Sequence, residues 1–322
     1  MRQLTLALPP ATETCVDLSA GLLMKLRAIA CVLRIVASIA FPVLPSAFSA
    51  SAQNPAPSAG IAPARNDDSL IEIQARGGDP ARPGNVRIEF YGHNAFRITS
   101  PAGLTILADP WRNDPTGHYP KWFLNKFPAV RPDIVLSTHA HFDHDAVDAP
   151  DALMVLERLV GQFRLGDVEI MGLADKHQCE STPCPAKNET GFENAIQIVT
   201  TGGLRIAVWG DNRPAPDPAL NPYLKNLDVL ILPVDTVLMP PEADAIIARC
   251  NPRAIIPAHY FIEGLTTDGS GIDSSEGWVN DQERAHHADV RRLNRPDLTI
   301  NAAELAGSHR RIYYFGNHIA TN

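Results

Sequence analysis

The chain has 322 residues, 45% of them hydrophobic and 20% charged, and its 28 basic and 36 acidic residues give a formal net charge of −8. Such an acid excess disfavours nucleic acid as a partner, because a phosphate backbone is held by a surplus of cations. The length and apolar content suffice for one sizeable core.

At the amino terminus, Met24-Lys-Leu-Arg27 supplies a positive start, residues 28–41 are largely apolar, and Pro45 to Ala52 offers small residues at cleavage spacing. The pattern predicts a signal peptide over residues 1–52, with translation beginning at Met24 and cleavage after Ala50 or Ala52. Its apolar run is short of the roughly 20 residues that span a bilayer, so a periplasmic or secreted protein without stable membrane insertion is expected. A helix retained as a membrane anchor is the alternative. Arg2, Lys25, Arg27, Arg34, Glu13 and Asp17 fall in this segment, so the remainder carries a net charge of −10. Cys15 and Cys31 fall there too, leaving Cys179, Cys184 and Cys250. An oxidising compartment allows one disulfide and one free thiol, and a Cys179–Cys184 bridge would hold the loop after His177.

Residues 53–84, rich in Pro, Ala and Ser over Asn54–Asp68, read as a flexible linker. One domain is expected over 85–322. Short β-like runs open it at 85–92, 94–100 and 103–108, followed by an aromatic-rich loop with Trp111, His118, Tyr119, Trp122 and Phe123. These aromatics suit either loop packing or the wall of an apolar pocket. A strand at 133–137 then runs into Ser137-Thr-His139-Ala-His141-Phe-Asp143-His144, three imidazoles and a carboxylate within six positions. Neutral imidazole nitrogens and carboxylate oxygens are what a hydrolytic metal takes, and alternation at a strand end lets His139 and His141 point the same way. Further strands are expected at 167–174, 193–201, 204–209, 229–233, 254–258 and near 311–315, and helices at 150–160, 217–226, 241–250 and 278–293. His177, Asp211 and His259 each follow one of these strands. Asp211 and His259 end apolar runs where an unpartnered polar group would be costly. His286 and His287 read as solvated. The series predicts an α/β fold, an αββα sandwich of two mixed sheets flanked by helices, with the polar residues on loops along one edge.

The His-x-His-x-Asp-His run after a hydrophobic strand resembles the metallo-β-lactamase superfamily of di-metal hydrolases. Carried over position by position, the resemblance assigns His139, His141 and His177 to one ion, Asp143, His144 and His259 to a second, and Asp211 to both. Val86 to Ile98 and Leu104 to Pro110 are similar to the opening hairpin of the ascorbate-6-phosphate lactonase-like branch, which includes the N-acylphosphatidylethanolamine phospholipase D-like enzymes. On that likeness His93 and Asp109 would support the ligands, with a hydrogen-bonded turn histidine as the other reading of His93. Two features depart from the family. Its Gly-Asp-Thr is Gly210-Asp211-Asn212 here, and Asp211 stands where true β-lactamases carry Cys or Ser, which argues against antibiotic hydrolysis.

The resemblance implies two divalent cations, zinc first with manganese or iron as alternatives. A bridging hydroxide would attack an ester, lactone or related small-molecule bond, with Asp143 passing a proton to the leaving group. Trp111, Trp122, Arg213 and Tyr260 are the expected substrate contacts. A phosphodiesterase acting on a phospholipid or nucleotide, and a non-catalytic periplasmic metal- or ligand-binding protein, are the alternative functions.

Overall fold

Fourteen strands lie among the described residues, which in this computed structural model are 78–178, 193–234 and 237–321. The expected signal peptide, most of the linker, Cys179 and Cys184 lie outside them.

The first sheet has six strands in the order β13-β1-β2-β3-β4-β5. They are β1 (Val86–Phe90), β2 (Phe96–Thr99), β3 (Thr105–Ala108), β4 (Ile134–Ser137), β5 (Met154–Glu157) and β13 (Asp297–Ile300). β1, β2 and β3 pair antiparallel, whereas β3, β4 and β5 run parallel. The second sheet has eight strands in the order β12-β14-β11-β10-β9-β8-β7-β6. These are β6 (Gly161–Leu165), β7 (Val168–Asp175), β8 (Asn194–Thr201), β9 (Leu204–Val208), β10 (Val229–Pro233), β11 (Ala254–Ala258), β12 (Asp289–Arg292) and β14 (Arg311–Tyr314). From β9 to β12 the pairings are parallel, and β6 to β9 form an antiparallel meander.

The central parallel strands are buried along their whole length: Ile-Val-Leu-Ser in β4, Val-Leu-Ile-Leu-Pro in β10 and Ala-Ile-Ile-Pro-Ala in β11. Continuous apolar runs are what a strand covered on both faces requires. Side chains of both sheets join in one core, in which Phe90 of β1 packs against Tyr260 and Phe315 at 5.7 and 5.4 Å between ring centroids. Pro257 is tolerated inside β11 because β14 pairs only with Ala254 and Ile255, so the proline lies beyond that ladder.

Helices are few among the described residues: α1 (Asn221–Leu224), α2 (Pro240–Cys250) and α3 (Glu276–Arg284). The helix expected at 150–160 is instead strand β5, whose alternating exposure along Met154–Glu157 marks it as a half-covered edge paired to β4. The helix expected over 278–293 ends at Arg284, and Asp289–Arg292 pairs with β14. Cys250 closes α2 as a buried free thiol, and burial pushes its pKa up to about 12. No described helix is long and apolar enough to cross a membrane.

The register aligns one set of strand ends. β1, β3 and β4 share a direction in the first sheet, as do β7, β9 and β11 in the second. The residues just past those six carboxyl ends include His93, Asp109, the His139–His144 run, His177, Asp211 and His259.

Candidate metal centre

Three of these site residues leave their strands in the left-handed conformation: His93 at φ 58°, Asp109 at φ 46° and His259 at φ 57°. Non-glycine residues rarely adopt it, and it persists only where the surroundings impose it. Here the surroundings are visible. The His259 N–H donates to the His93 carbonyl at 2.8 Å, and the Asp109 N–H donates to the Leu136 carbonyl at 3.0 Å. Gly210 supplies the same turn before Asp211 at φ 58°, where an added Cβ would fall 2.5 Å from Thr138 Oγ1.

The turns gather two groups, His139, His141, His177 and Asp211 in one and His93, Asp143, His144 and His259 in the other, with the ligating atoms of each within 4.8 Å of one another. Asp211 faces both. Its Oδ2 lies 3.6 Å from His139 Nε2, 3.5 Å from His177 Nε2 and 3.8 Å from His259 Nε2, and its Oδ1 lies 3.4 Å from His144 Nε2. Asp143 Oδ2 stands 3.5 Å from both His144 Nε2 and His259 Nε2. These separations are long for hydrogen bonds. All but the 3.8 Å one match the edges of a tetrahedron whose corners lie at metal–ligand distance from a common centre, about 3.3–3.6 Å.

Three imidazoles have their outer nitrogens fixed as donors. His177 Nδ1 faces the Gln178 carbonyl at 2.6 Å and His144 Nδ1 faces Asp109 Oδ2 at 2.8 Å, and neither oxygen can donate. Thr138 Oγ1 donates to Asp109 Oδ2 at 2.7 Å, so it accepts from His139 Nδ1 at 3.0 Å. Each ring therefore aims its Nε2 inward, and the Nε2 atoms of His139, His144 and His177 are buried without a hydrogen-bond partner, as is Asp211 Oδ1. Unsatisfied acceptors converging in a dry space are costly unless a cation takes them. The donor set fits two divalent cations with nitrogen and oxygen ligands.

The charges agree. Burial alone would raise Asp143 and Asp211, yet the surrounding imidazoles, His144 foremost, hold both well below the usual carboxylate range. Burial would lower His144, but Asp211, Asp143 and Asp109 outweigh it and lift the ring to about 9. Burial and neighbouring rings depress His139 and, less strongly, His141, which keeps both neutral. The centre thus draws positive charge: His139 and His141 stay neutral, whereas His144 keeps a proton that a bound cation would displace.

Asp109, fully buried, organises the shell. It accepts from the Thr138 N–H at 2.8 Å, the Thr138 hydroxyl, His144 and Asn94 Nδ2 at 2.7 Å. His93 Nε2 meets Asp143 Oδ2 at 2.9 Å, a hydrogen-bond length shorter than the ligand–ligand spacings, so this ring partners Asp143. Burial holds the His93 pKa down to about 4.

The expected substrate contacts divide. Trp111 and Tyr260 are each 1% exposed and belong to the core: Trp111 Nε1 donates to the Tyr91 carbonyl, and the Tyr260 hydroxyl donates to the Gly316 carbonyl. Large rings buried with their polar tips satisfied pack as core residues, which is where the structure places both. Arg213 clamps Asp175 through Nε at 3.2 Å and Nη2 at 2.6 Å. Asn212 is buried, with its amide donating to Asp175 Oδ2, which accounts for an amide where the family pattern has a hydroxyl. Trp122 remains beside the centre, its ring 6.4 Å from His93 and 4.9 Å from Phe142, which sits between His141 and Asp143 in the chain. Phe142, Thr138 and Asn94 carried no spacing signal of their own, although Thr138 directly precedes His139.

Comparison with known proteins places this geometry. Residues 87–259, just over half of the chain, match the family model described as the beta-lactamase superfamily domain. A UPF0173 metal-dependent hydrolase of Pyrobaculum neutrophilum is 30% identical over 195 residues, covering 54% of this chain and 84% of the relative. One from Thermodesulfovibrio yellowstonii is 27% identical over 213 residues, covering 55% and 79%. Among solved structures, a protein of the metallo-beta-lactamase superfamily from Thermotoga maritima superposes with a TM-score of 0.50 at 20% identity, covering 71% of this chain and 97% of that one.

Proposed function

From the premise that the chain belongs to the beta-lactamase superfamily and is a metal-dependent hydrolase, we propose that it holds two divalent cations and hydrolyses an ester, lactone or related small-molecule bond. The observation that carries the proposal is the convergence of three buried, unpartnered Nε2 atoms on an aspartate that faces both groups. His139, His141 and His177 would hold one cation, Asp143, His144 and His259 the other, and Asp211 both. Such a pair supplies Lewis acidity and ionises water near neutral pH. Zinc suits the ligand set, as do manganese and iron.

The chain's own groups do the rest. Asp143, hydrogen-bonded to His93, is the carboxylate placed to pass a proton to the leaving group. His93 orients that carboxylate, and Asp109 with Thr138 fixes the tautomers of His144 and His139. Trp122 and Phe142 form the apolar side of the substrate site. The hairpin from β1 to β3, with His93 between its first two strands, supports placement in the ascorbate-6-phosphate lactonase-like branch. Export to the periplasm or beyond, with removal of residues 1–52, is part of the same reading and rests on the order of charge, apolar run and small residues from Met24 to Ala52.

Elemental analysis of the metal-replete protein tests the centre: about two metals per chain are expected, with substantial loss in Asp211→Ala. A panel of lactones, carboxylic esters and aryl phosphodiesters tests the reaction. Preference for the phosphodiesters would replace the carbonyl reading, and no turnover of any class by the two-metal protein would reject hydrolysis of these bonds.

A further inference from the structure

A cavity of about 630 Å³ opens beside the centre, lined by His139, His141 and His177 and by three charged residues, Glu157, Arg158 and Glu193. Among the described residues lining it, Arg158 is the one fixed cation. The last rung of the β4–β5 pairing, Ser137 against Glu157, precedes Arg158, and the Arg158 N–H continues it by donating to the Ser137 carbonyl at 3.0 Å. The same β4 strand then runs into Thr138 and His139, so Arg158 is registered directly to the strand that delivers the metal-binding motif.

Two features of this arginine bear on its role. Its backbone is left-handed at φ 48°, a conformation it shares with His93, Asp109 and His259. For a long side chain that conformation is unfavourable, and such outliers collect at functional sites. Secondly, its guanidinium is loosely held among the described residues. Arg97 is bound by Glu89, Arg213 by Asp175 and Arg311 by Asp289, each with an Nε or Nη contact of 3.0 Å or less. Arg158 approaches the adjacent Glu157 at 3.6 Å, both side chains being substantially exposed, and acts on Asp145 through charge at longer range. A planar fork of donors left open over a cavity is matched to a carboxylate or phosphate oxygen pair.

We propose that Arg158 is the anion-recognition residue of this hydrolase, selecting substrates that carry a carboxylate or phosphate group a few atoms from the bond that is cut. The inference rests on the hydrolytic reading for its use, but not for the binding itself. Glu157 and Glu193 line the same cavity, so the opposite preference, for a cationic substrate, is the physical alternative.

The test uses the metal-loaded protein, its metal content verified, with Arg158→Gln and Arg158→Lys. Three 4-nitrophenyl esters with acyl chains of equal length ending in methyl, carboxylate or ammonium are compared. Water adds at the acyl carbon, the acyl–oxygen bond breaks, and nitrophenolate leaves. For the wild type, kcat/KM for the carboxylate ester should exceed that for the methyl ester roughly tenfold or more, with the gain in KM. The ratio should collapse to about one in Arg158→Gln and be partly kept in Arg158→Lys. In parallel, calorimetry compares glutarate with butyrate, both able to present one carboxylate to the metals. The wild type should bind glutarate roughly tenfold more tightly, and Arg158→Gln should lose that difference while keeping its metals. An unchanged ratio in Arg158→Gln, or a wild-type preference for the ammonium ester, overturns the proposal. Absence of ester turnover with the calorimetric difference intact would defeat the hydrolytic reading and leave the anion site standing.

Discussion

Asp109 touches four groups and none of them is the substrate. Its carboxylate holds the His144 ring, the Thr138 hydroxyl that in turn holds His139, and the amide of Asn94. One buried carboxylate therefore sets the tautomer of a histidine in each of the two groups. Asp109→Asn keeps the shape but puts two donors where an acceptor oxygen stood, so it should weaken metal affinity by roughly 10–100-fold. Competition against a chelator of known affinity measures it, and unchanged affinity would reduce Asp109 to a residue of the fold. At this scale the sequence was legible where chemistry is dense: His-x-His-x-Asp-His names its own purpose, and His177, Asp211 and His259 follow from strand ends. The supporting residues were legible only in part. Thr138 and Asn94 are polar residues at strand ends, where the same types serve as turns, and Trp111 and Trp122 look alike until burial separates them.

The strands are joined to the site by short, strained exits, and these set what each element tolerates. Gly210 lies between β9 and Asp211 at φ 58°, with Thr138 and Asn194 within 2.8 Å of any added Cβ. Gly210→Ala should cost at least about 2 kcal/mol and strip the centre of metal by shifting Asp211. Denaturant unfolding and elemental analysis together would show it, and a stable, metal-replete variant would contradict the packing argument. At the other sheet, β1 and β13 are tied by Asp297, which accepts from Arg295 at 2.6 Å and from Arg87 at 3.0 Å. Arg295 first, and Arg87 after it, hold the Asp297 carboxyl below its ordinary value. A depressed carboxyl contributes stability above its unfolded pKa, near 3.9, and loses it as pH falls through the folded value. Both arginines are substantially exposed, so Asp297→Asn should cost about 1 kcal/mol at pH 7. The difference from wild type should shrink as the pH falls below about 4, and a gap that persists at pH 2 would assign the loss to packing instead. Edges were the elements hardest to read. β5 and β12 carry charged or alternating residues that imitate a helix face, and only pairing to β4 and β14 decides them.

Across the whole molecule the centre sits where the sheets must be held together. The His139–His144 run and Asp109 come from the first sheet, whereas His177, Asp211 and His259 come from the second. Asp211 approaches His139 and His144 across that divide, and His259 approaches Asp143. A cation bound by either group is therefore a clamp between sheets. In its absence the same loops hold bare acceptors and like charges in a buried space. Ligands that bind only the folded state stabilise it by RT ln(1 + [L]/Kd), about 2.7 kcal/mol per site at a hundredfold excess over Kd. For a domain of this size that corresponds to roughly 5–10 °C in Tm for each site. Removing the metals by chelation and dialysis should lower Tm by that amount for each site emptied, with recovery on adding zinc back. Asp211→Ala should remove most of the metal-dependent gain, because it takes away the carboxylate that faces both groups. A chelated protein that melted with the loaded one would mean that the cations sit on the surface of an already closed sandwich, and that the strained exits at His93, Asp109 and His259 are maintained by backbone hydrogen bonding alone.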